Sequence, residues 1–197
     1  MRDVRICYVG DSFVNGTGDP TKLGWTGRLS QNSQNNNLDI THYNLGIRRE
    51  TSGDILKRWE AECHARFPEV SENKVVFSFG VNDTVMENGQ KRVSLENSIE
   101  NAKTILVHAS KKYDVIMIGM PPIDDEEQNK MIKELDIEYQ ALCNALEIPY
   151  LSVFEKLAND QIWKNEVLSN DGAHPRDKGY EILANHIKNW SGWWFKT

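Results

Sequence analysis

The sequence predicts an α/β fold, a three-layer α/β/α sandwich built on a five-stranded parallel sheet. Three observations predict it. Strand-like and helix-like periods alternate from one end of the chain to the other. The runs Val75-Val76-Phe77-Ser78-Phe79 and Val115-Ile116-Met117-Ile118 are almost continuously apolar, as strands covered on both faces must be. The intervening segments carry apolar stripes at helical spacing, and strand–helix repetition with right-handed crossovers makes neighbouring strands parallel.

Taken in order, strands are expected over 4–9, 38–44, 74–79, 114–119 and 148–153. A short helix is expected over 24–34, and the polar tract 31–37 reads as its end and a turn. Ile55, Leu56, Trp59, Cys63 and Phe67 form one helical stripe, and Leu95, Ile99, Ala102, Leu106 and Ala109 form another. Met131, Leu135, Tyr139, Leu142 and Leu146 form a third, preceded by Asp124-Asp125-Glu126-Glu127, acids that complement a helix N-terminus. Tyr180, Leu183, Ala184, Ile187, Trp190 and Trp194 mark a terminal helix. Five strands suggest, by analogy, the flavodoxin-like order 2-1-3-4-5. With no linker and no internal repeat, the 197 residues read as a single domain over 1–197. A chain of that size buries about 70% of its unfolded surface.

Composition narrows the function. The 23 basic and 29 acidic residues give a net charge of −6, and the basic residues form no stripe or tail. Binding to nucleic acid or to an anionic membrane is therefore not expected. No apolar stretch approaches the roughly 18 residues that span a bilayer. Cys7, Cys63 and Cys143 each fall inside an apolar pattern, which reads as buried free thiols. With Arg2, Asp3 and Arg5 in place of a secretory apolar core, the expected location is the cytoplasm.

The chemistry-bearing residues sit at strand ends. Gly10-Asp11-Ser12 follows the first strand, where open α/β sheets hold their ligands. The other serines of the twelve fit caps, turns and surface positions, and a serine hydroxyl needs a base to become a nucleophile. His42, His64, His108 and His186 lie in strand or helix patterns, whereas His174 lies in a Gly/Pro-bounded loop three residues after Asp171. That spacing lets a carboxylate hold one ring nitrogen while the other faces outward, or else lets Asp171 cap backbone N–H groups of a turn. Asn82, after the third strand, has a side-chain amide suited to a developing oxyanion; Gly46, after the second, and Ser12 offer backbone N–H groups. In a 2-1-3 sheet these strand ends are neighbours.

Other strand-end motifs fail. The chain has no Gly-x-Ser-x-Gly elbow and no phosphate-binding Gly-x4-Gly-Lys-Ser/Thr, and Gly16-Thr17-Gly18 has Thr21 where a dinucleotide motif needs glycine.

The set resembles the SGNH hydrolases, also called the GDSL lipase/esterase family. Gly10-Asp11-Ser12-Phe13 matches the first block, Asn44 and Gly46 the second, Gly80-Val81-Asn82-Asp83 the third, and Asp171-Gly172-Ala173-His174-Pro175 the fifth. The resemblance covers roughly 4–190. It implies a metal-independent, cofactor-free serine hydrolase acting on small-molecule carboxylic or thioesters. Ser12 would be nucleophile, His174 base and Asp171 its orienter, with Ser12, Gly46 and Asn82 forming the oxyanion hole. Arg49 departs from the family at a position where a small residue is common; Arg48-Arg49 read as surface arginines on a loop, against the alternative that they narrow the pocket or meet an acidic substrate group. Asp11, Arg49 and Trp163 are candidate substrate-binding residues. Acyl transfer, carbohydrate deacetylation and a non-catalytic ligand-binding domain are the competing readings. The C-terminal Trp190, Trp193, Trp194 and Phe195 read as packing that docks the last helix.

Overall fold

The computed structural model describes residues 1–33 and 37–195. Strand β1 (Arg2–Gly10) lies between β2 (Leu38–Gly46) and β3 (Glu72–Ser78), and β6 (Asp114–Ile118) and β7 (Tyr150–Leu151) extend the sheet beyond β3. All four pairings are parallel. Counting sheet strands alone, this is the order 2-1-3-4-5. The strands between β3 and β6 in the chain, β4 (Met86–Glu87) and β5 (Gln90–Lys91), form a separate antiparallel hairpin that sequence periodicity did not reveal.

Eight α-helices and a 3-10 turn (Val81–Thr84) complete the described elements; the helices are α1 (Ser12–Asn15), α2 (Gly24–Ser33), α3 (Ser52–His64), α4 (Leu95–Ser110), α5 (Glu126–Ala145), α6 (Phe154–Ala158), α7 (Gln161–Ser169) and α8 (Asp177–Lys188). Helices α3, α4 and α5 pack in series, and α2 packs on α8, which also meets α7. Right-handed crossovers place these two groups on opposite faces of the sheet. The expected helix over 24–34 ends at Ser33; residues 34–36 lie outside the described set. The terminal helix ends at Lys188, short of Trp190 and Trp194. Trp193 and Phe195 are nonetheless buried, and the Trp193 indole N–H donates to Ser33 Oγ at 3.1 Å, tying the chain end to α2.

The fifth strand is two residues long instead of the six over 148–153. Ile148 instead turns back to cap α5, its N–H donating to the Cys143 carbonyl at 2.9 Å. Beyond the short pairing, Asp136 of α5 does the joining. It accepts from the Met120 N–H, Tyr150 hydroxyl and Ser152 hydroxyl at 3.2, 2.6 and 2.6 Å.

The core follows the pattern of central strands: Val4, Ile6, Tyr8, Val75, Val76, Phe77 and Ile116 are all buried. Trp59, Phe77, Phe79 and Tyr139 stack edge to face in sequence, with centroids 5.7, 6.2 and 5.8 Å apart. Such geometry suits the aromatic quadrupole. The three cysteines are buried and free. Among the described residues no helix is long and apolar enough to cross a membrane.

The register brings Gly10, Gly46 and Ser78 level at the carboxyl edge of the sheet. A Cβ on Gly10 would stand 1.9 Å from the Ser78 carbonyl oxygen and 2.5 Å from Val14 Cγ2, so no side chain fits there. Gly10→Ala is expected to cost about 1–3 kcal/mol through overpacking. Urea unfolding should show a lower midpoint at unchanged slope; an unchanged midpoint would mean that the strand ends can spread.

Candidate active site

Ser12 opens α1 directly after β1, and the Asp11 carboxylate caps that helix by accepting the Phe13 N–H at 3.0 Å. As the first residue of a helix, Ser12 has no intrahelical acceptor for its own N–H. Gly16 closes the turn in the left-handed region (φ 82°) and donates to the Ser12 carbonyl. Ser12 is therefore held by a cap on either side and shows only 5% of its surface.

His174 lies in the segment between α7 and α8. Asp171 builds the loop around it: Oδ1 accepts the Ala173 and His174 N–H groups at 3.0 and 2.8 Å, leaving Oδ2 for the His174 ring. The Nδ1–Oδ2 separation is 2.8 Å, and the opposite ring nitrogen, Nε2, lies 2.7 Å from Ser12 Oγ. Asn170 Nδ2 donates to the His174 carbonyl at 3.0 Å, and the Phe13 ring lies against the imidazole at 4.8 Å between centroids. The start of α8 has no side-chain cap of its own; Glu166 of α7 supplies one, accepting from the Arg176, Lys178 and Gly179 N–H groups at 2.8, 3.2 and 2.7 Å.

Asn82 sits in a 3-10 turn, Val81–Thr84, after β3. Its amide donates to Asp11 Oδ2 at 3.3 Å and to the Glu50 carbonyl at 3.0 Å. Neighbouring Asp83 faces the other way, accepting the Ser52 N–H at the start of α3 at 2.8 Å. The turn is thereby fastened to α3, and Asn82 is turned toward the Ser12 side.

Three expectations are corrected. The Gly46 N–H is taken by the Asn44 side chain at 3.0 Å, so it does not point at Ser12 as a free donor. Gly46 serves close approach instead, since a Cβ there would lie 2.2 Å from the Asn15 nitrogen. Asp11 is 1% exposed with its oxygens bonded to Phe13 and Asn82, which leaves no face for a substrate. Trp163 is equally buried, its indole N–H donating to the Pro122 carbonyl at 3.1 Å. It lines a separate cavity of about 430 Å³ with Pro122, Asp124 and Leu168. Arg49 is exposed, and its backbone occupies the left-handed region (φ 68°) where glycine is favoured.

Arg58 and Glu166 were not anticipated. Arg58 Nη2 donates to the Gly10 and Leu45 carbonyls at 3.1 and 2.9 Å, and its Nε to Glu50 at 2.6 Å. One guanidinium thus joins the ends of β1 and β2 to the loop that Asn82 touches. The only signal in the sequence was a charged residue beside Trp59 in an apolar helical stripe.

Electrostatics matches this geometry. Burial draws the His174 pKa below the usual 6.5, Asp171 pulls it up, and the charge of Arg48 pushes it down. Burial pushes the Asp171 carboxyl up, but its hydrogen bonds with His174 and Ala173 outweigh that and hold it below 3.8. Burial, with Asp83 and Glu50 nearby, raises Asp11 to about 7. At neutral pH His174 is thus an uncharged base between a hydroxyl and a carboxylate. Such a chain can take a proton from the serine and stabilise the imidazolium that forms.

The model of the GDSL-like lipase/acylhydrolase family matches residues 8–182. The chain belongs to that family. No curated protein sequence matches it. Among solved structures, a lipase/acylhydrolase from Enterococcus faecalis superposes with a TM-score of 0.76 at 25% identity, covering 95% of this chain and 93% of that one. An acetylxylan esterase from Geobacillus stearothermophilus gives 0.76 at 17% identity, with 98% and 96% covered. A psychrotrophic esterase from Pseudoalteromonas gives 0.70 at 17% identity, with 93% of each chain covered. The family match embraces both Ser12 and the Asp171–His174 loop.

The charge balance at His174 can be read directly. By NMR its imidazole should titrate below 6.5, since burial disfavours the cation. Asp171→Asn removes the charge that favours the cation, so the titration should move lower still. An upward shift in that variant would contradict the assigned pairing.

Proposed function

We propose that this protein is a serine ester hydrolase that works through an acyl-enzyme on Ser12. The observation that carries this reading is the continuous hydrogen-bond chain from Ser12 Oγ through His174 to Asp171. As Ser12 Oγ attacks the ester carbonyl, His174 Nε2 takes its proton and Asp171 stabilises the imidazolium. The carbonyl oxygen becomes an oxyanion. In this reading the Ser12 N–H and the Asn82 amide bind it, with the backbone N–H of Arg49 taking the part first expected of Gly46. Arg49 suits the part through its left-handed backbone, one residue before the carbonyl that Asn82 holds.

The tetrahedral intermediate collapses when His174 returns the proton to the departing alcohol. Water then repeats the sequence with His174 as base, and the acid leaves. Both hydrogens of the Asn82 amide have acceptors before substrate arrives. The longer bond, to Asp11, is the one to be exchanged for the oxyanion, so this donor strengthens its contribution only as charge develops. That difference between ground and transition state is what accelerates a reaction. Asp11 acts here by holding Asn82, and no metal or cofactor is required by the residues assigned.

Short-chain p-nitrophenyl esters should be hydrolysed with a pre-steady-state burst. Ser12→Ala should lower kcat by at least about 10³-fold and abolish fluorophosphonate labelling; undiminished turnover would remove Ser12 from the reaction.

Asn82→Ala is expected to lower kcat by about 10²–10³ with little change in KM, as loss of an oxyanion donor does. A change confined to KM would make Asn82 a ground-state binder instead.

A further inference from the structure

After α1 the chain turns through Gly16 and Gly18, both left-handed, at φ 82° and 89°. Gly18 packs directly on the histidine loop. A Cβ there would stand 2.5 Å from Asn170 Nδ2, 2.7 Å from the Pro175 carbonyl oxygen and 3.4 Å from His174 Cβ. This same turn forms one wall of a groove of about 330 Å³, lined by Asn15, Gly16, Thr17, Gly18, Lys22 and Arg48. The groove therefore shares its Gly18 wall with the loop that carries His174.

Its chemistry is one-sided. Two of the six lining residues are cations, none is acidic, and none has a large apolar side chain. Among the described residues neither Lys22 nor Arg48 forms an ion pair, whereas the nearby Arg28 is paired with the buried Asp19. Asp19 also accepts from the Thr21 and Gly24 N–H groups at 3.0 and 2.7 Å, and its carbonyl accepts the Lys22 N–H at 3.2 Å. The backbone carrying Lys22 is thus fixed from within, leaving its charge to the groove. The positive charge of Arg48 is one of the influences that lower the His174 pKa. A net charge of −6 gives the molecule as a whole no attraction for anions, so these two cations act locally.

We propose that this groove is a subsite for an anionic group of the substrate, so that the ester turned over bears a carboxylate or a phosphate on its alcohol or its acyl part. The proposal rests on the hydrolase reading above. A long acyl chain would find no apolar wall in the groove. A neutral polyol would satisfy Asn15 and Thr17 but leave both cations unused.

Binding to Ser12→Ala protein, measured by calorimetry, separates the subsite from the chemistry. Two matched pairs serve as probes: 4-acetoxybenzoate against 4-acetoxybenzamide, and phenyl hydrogen adipate against phenyl adipamate. 4-Acetoxyphenyl phosphate distinguishes phosphate from carboxylate. The anion of at least one pair should bind about tenfold to hundredfold more tightly than its amide, the range of a charge-assisted hydrogen bond. That preference should shrink toward unity when Lys22→Gln and Arg48→Gln are combined, and persist when Lys22→Arg and Arg48→Lys are combined. Equal binding within both pairs, no binding of any anion, or a preference that survives the neutral double variant would overturn the subsite. Wild-type turnover of 4-acetoxybenzamide judges the hydrolase reading separately. Anion preference without turnover of any ester would keep the subsite and remove that reading; turnover without anion preference would do the reverse.

Discussion

Everything at the site depends on three parallel strands ending at one level with almost no space between them. Gly10 pairs with Gly46 on one side and with Ser78 on the other. The missing side chains at Gly10 and Gly46 let α1 start immediately beyond β1, and that start fixes the direction of Ser12. Crowded strand ends also bring carbonyl oxygens together, and Arg58 binds those of Gly10 and Leu45 while pairing with Glu50 and Glu62. Removing this partly buried guanidinium would leave the Glu50 carboxylate without its ion pair, while Glu62 keeps Arg66 and the Gly10 carbonyl keeps the Ile47 N–H. The Ser12 corner is stiff because its packing and its hydrogen bonds demand the same arrangement.

That stiffness carries an electrostatic cost. Burial pushes Asp11, Asp83 and Asp136 upward from the usual carboxylate range. For Asp11, at about 7 in the fold against 3.8 for the free group, the sign is unambiguous. The folded state keeps a proton that the unfolded chain releases, so stability from this group is full below about pH 3.8 and declines as pH rises toward 7. At neutral pH a partly charged carboxylate is retained despite the desolvation that its burial costs. Its acceptor strength is what Phe13 and Asn82 use. Asp19 shows the contrasting case. Its buried carboxylate is offset by Arg28, Thr21 and the Gly24 N–H, which together hold it down at about 2. One acid is tuned toward titration and the other is a permanent anchor.

The strand order came by analogy, but sequence periodicity made the layers legible because they rest on contacts of one kind, apolar faces against a sheet. It misjudged β7, where two residues pair and Asp136 performs the joining that a longer strand would have done. Helices α6 and α7 were passed over because the stretch before Asp171 carries no long apolar stripe. Ser12, Asn82, Asp171 and His174 were readable since each stands at a strand end or in a marked loop. Gly46 was misread because a glycine after a strand has two uses, donating an N–H and permitting close approach, and only the position of the Asn44 side chain chooses between them. Arg58 and Glu166 were invisible for a related reason. Their work is done on backbone atoms of other segments, which carry no residue-specific signal.

The histidine loop is held from two sides that the sequence leaves unrelated. On one, Gly18 fits against Asn170, His174 and Pro175 with no room for a side chain. On the other, the Asp124 N–H donates to the Gly172 carbonyl at 2.8 Å, tying the loop to the wall of the cavity that contains Trp163. Glu166 then fixes where the loop enters α8. His174 needs this redundancy because its ring must meet Ser12 and Asp171 at once, and a shift of an ångström would break one bond to improve the other. Variation in the loops on either side can therefore occur without disturbing the Ser12–His174–Asp171 contacts. The Ser12 corner and the cationic groove coexist because the first is built from strand ends and the second from the loop that leaves them.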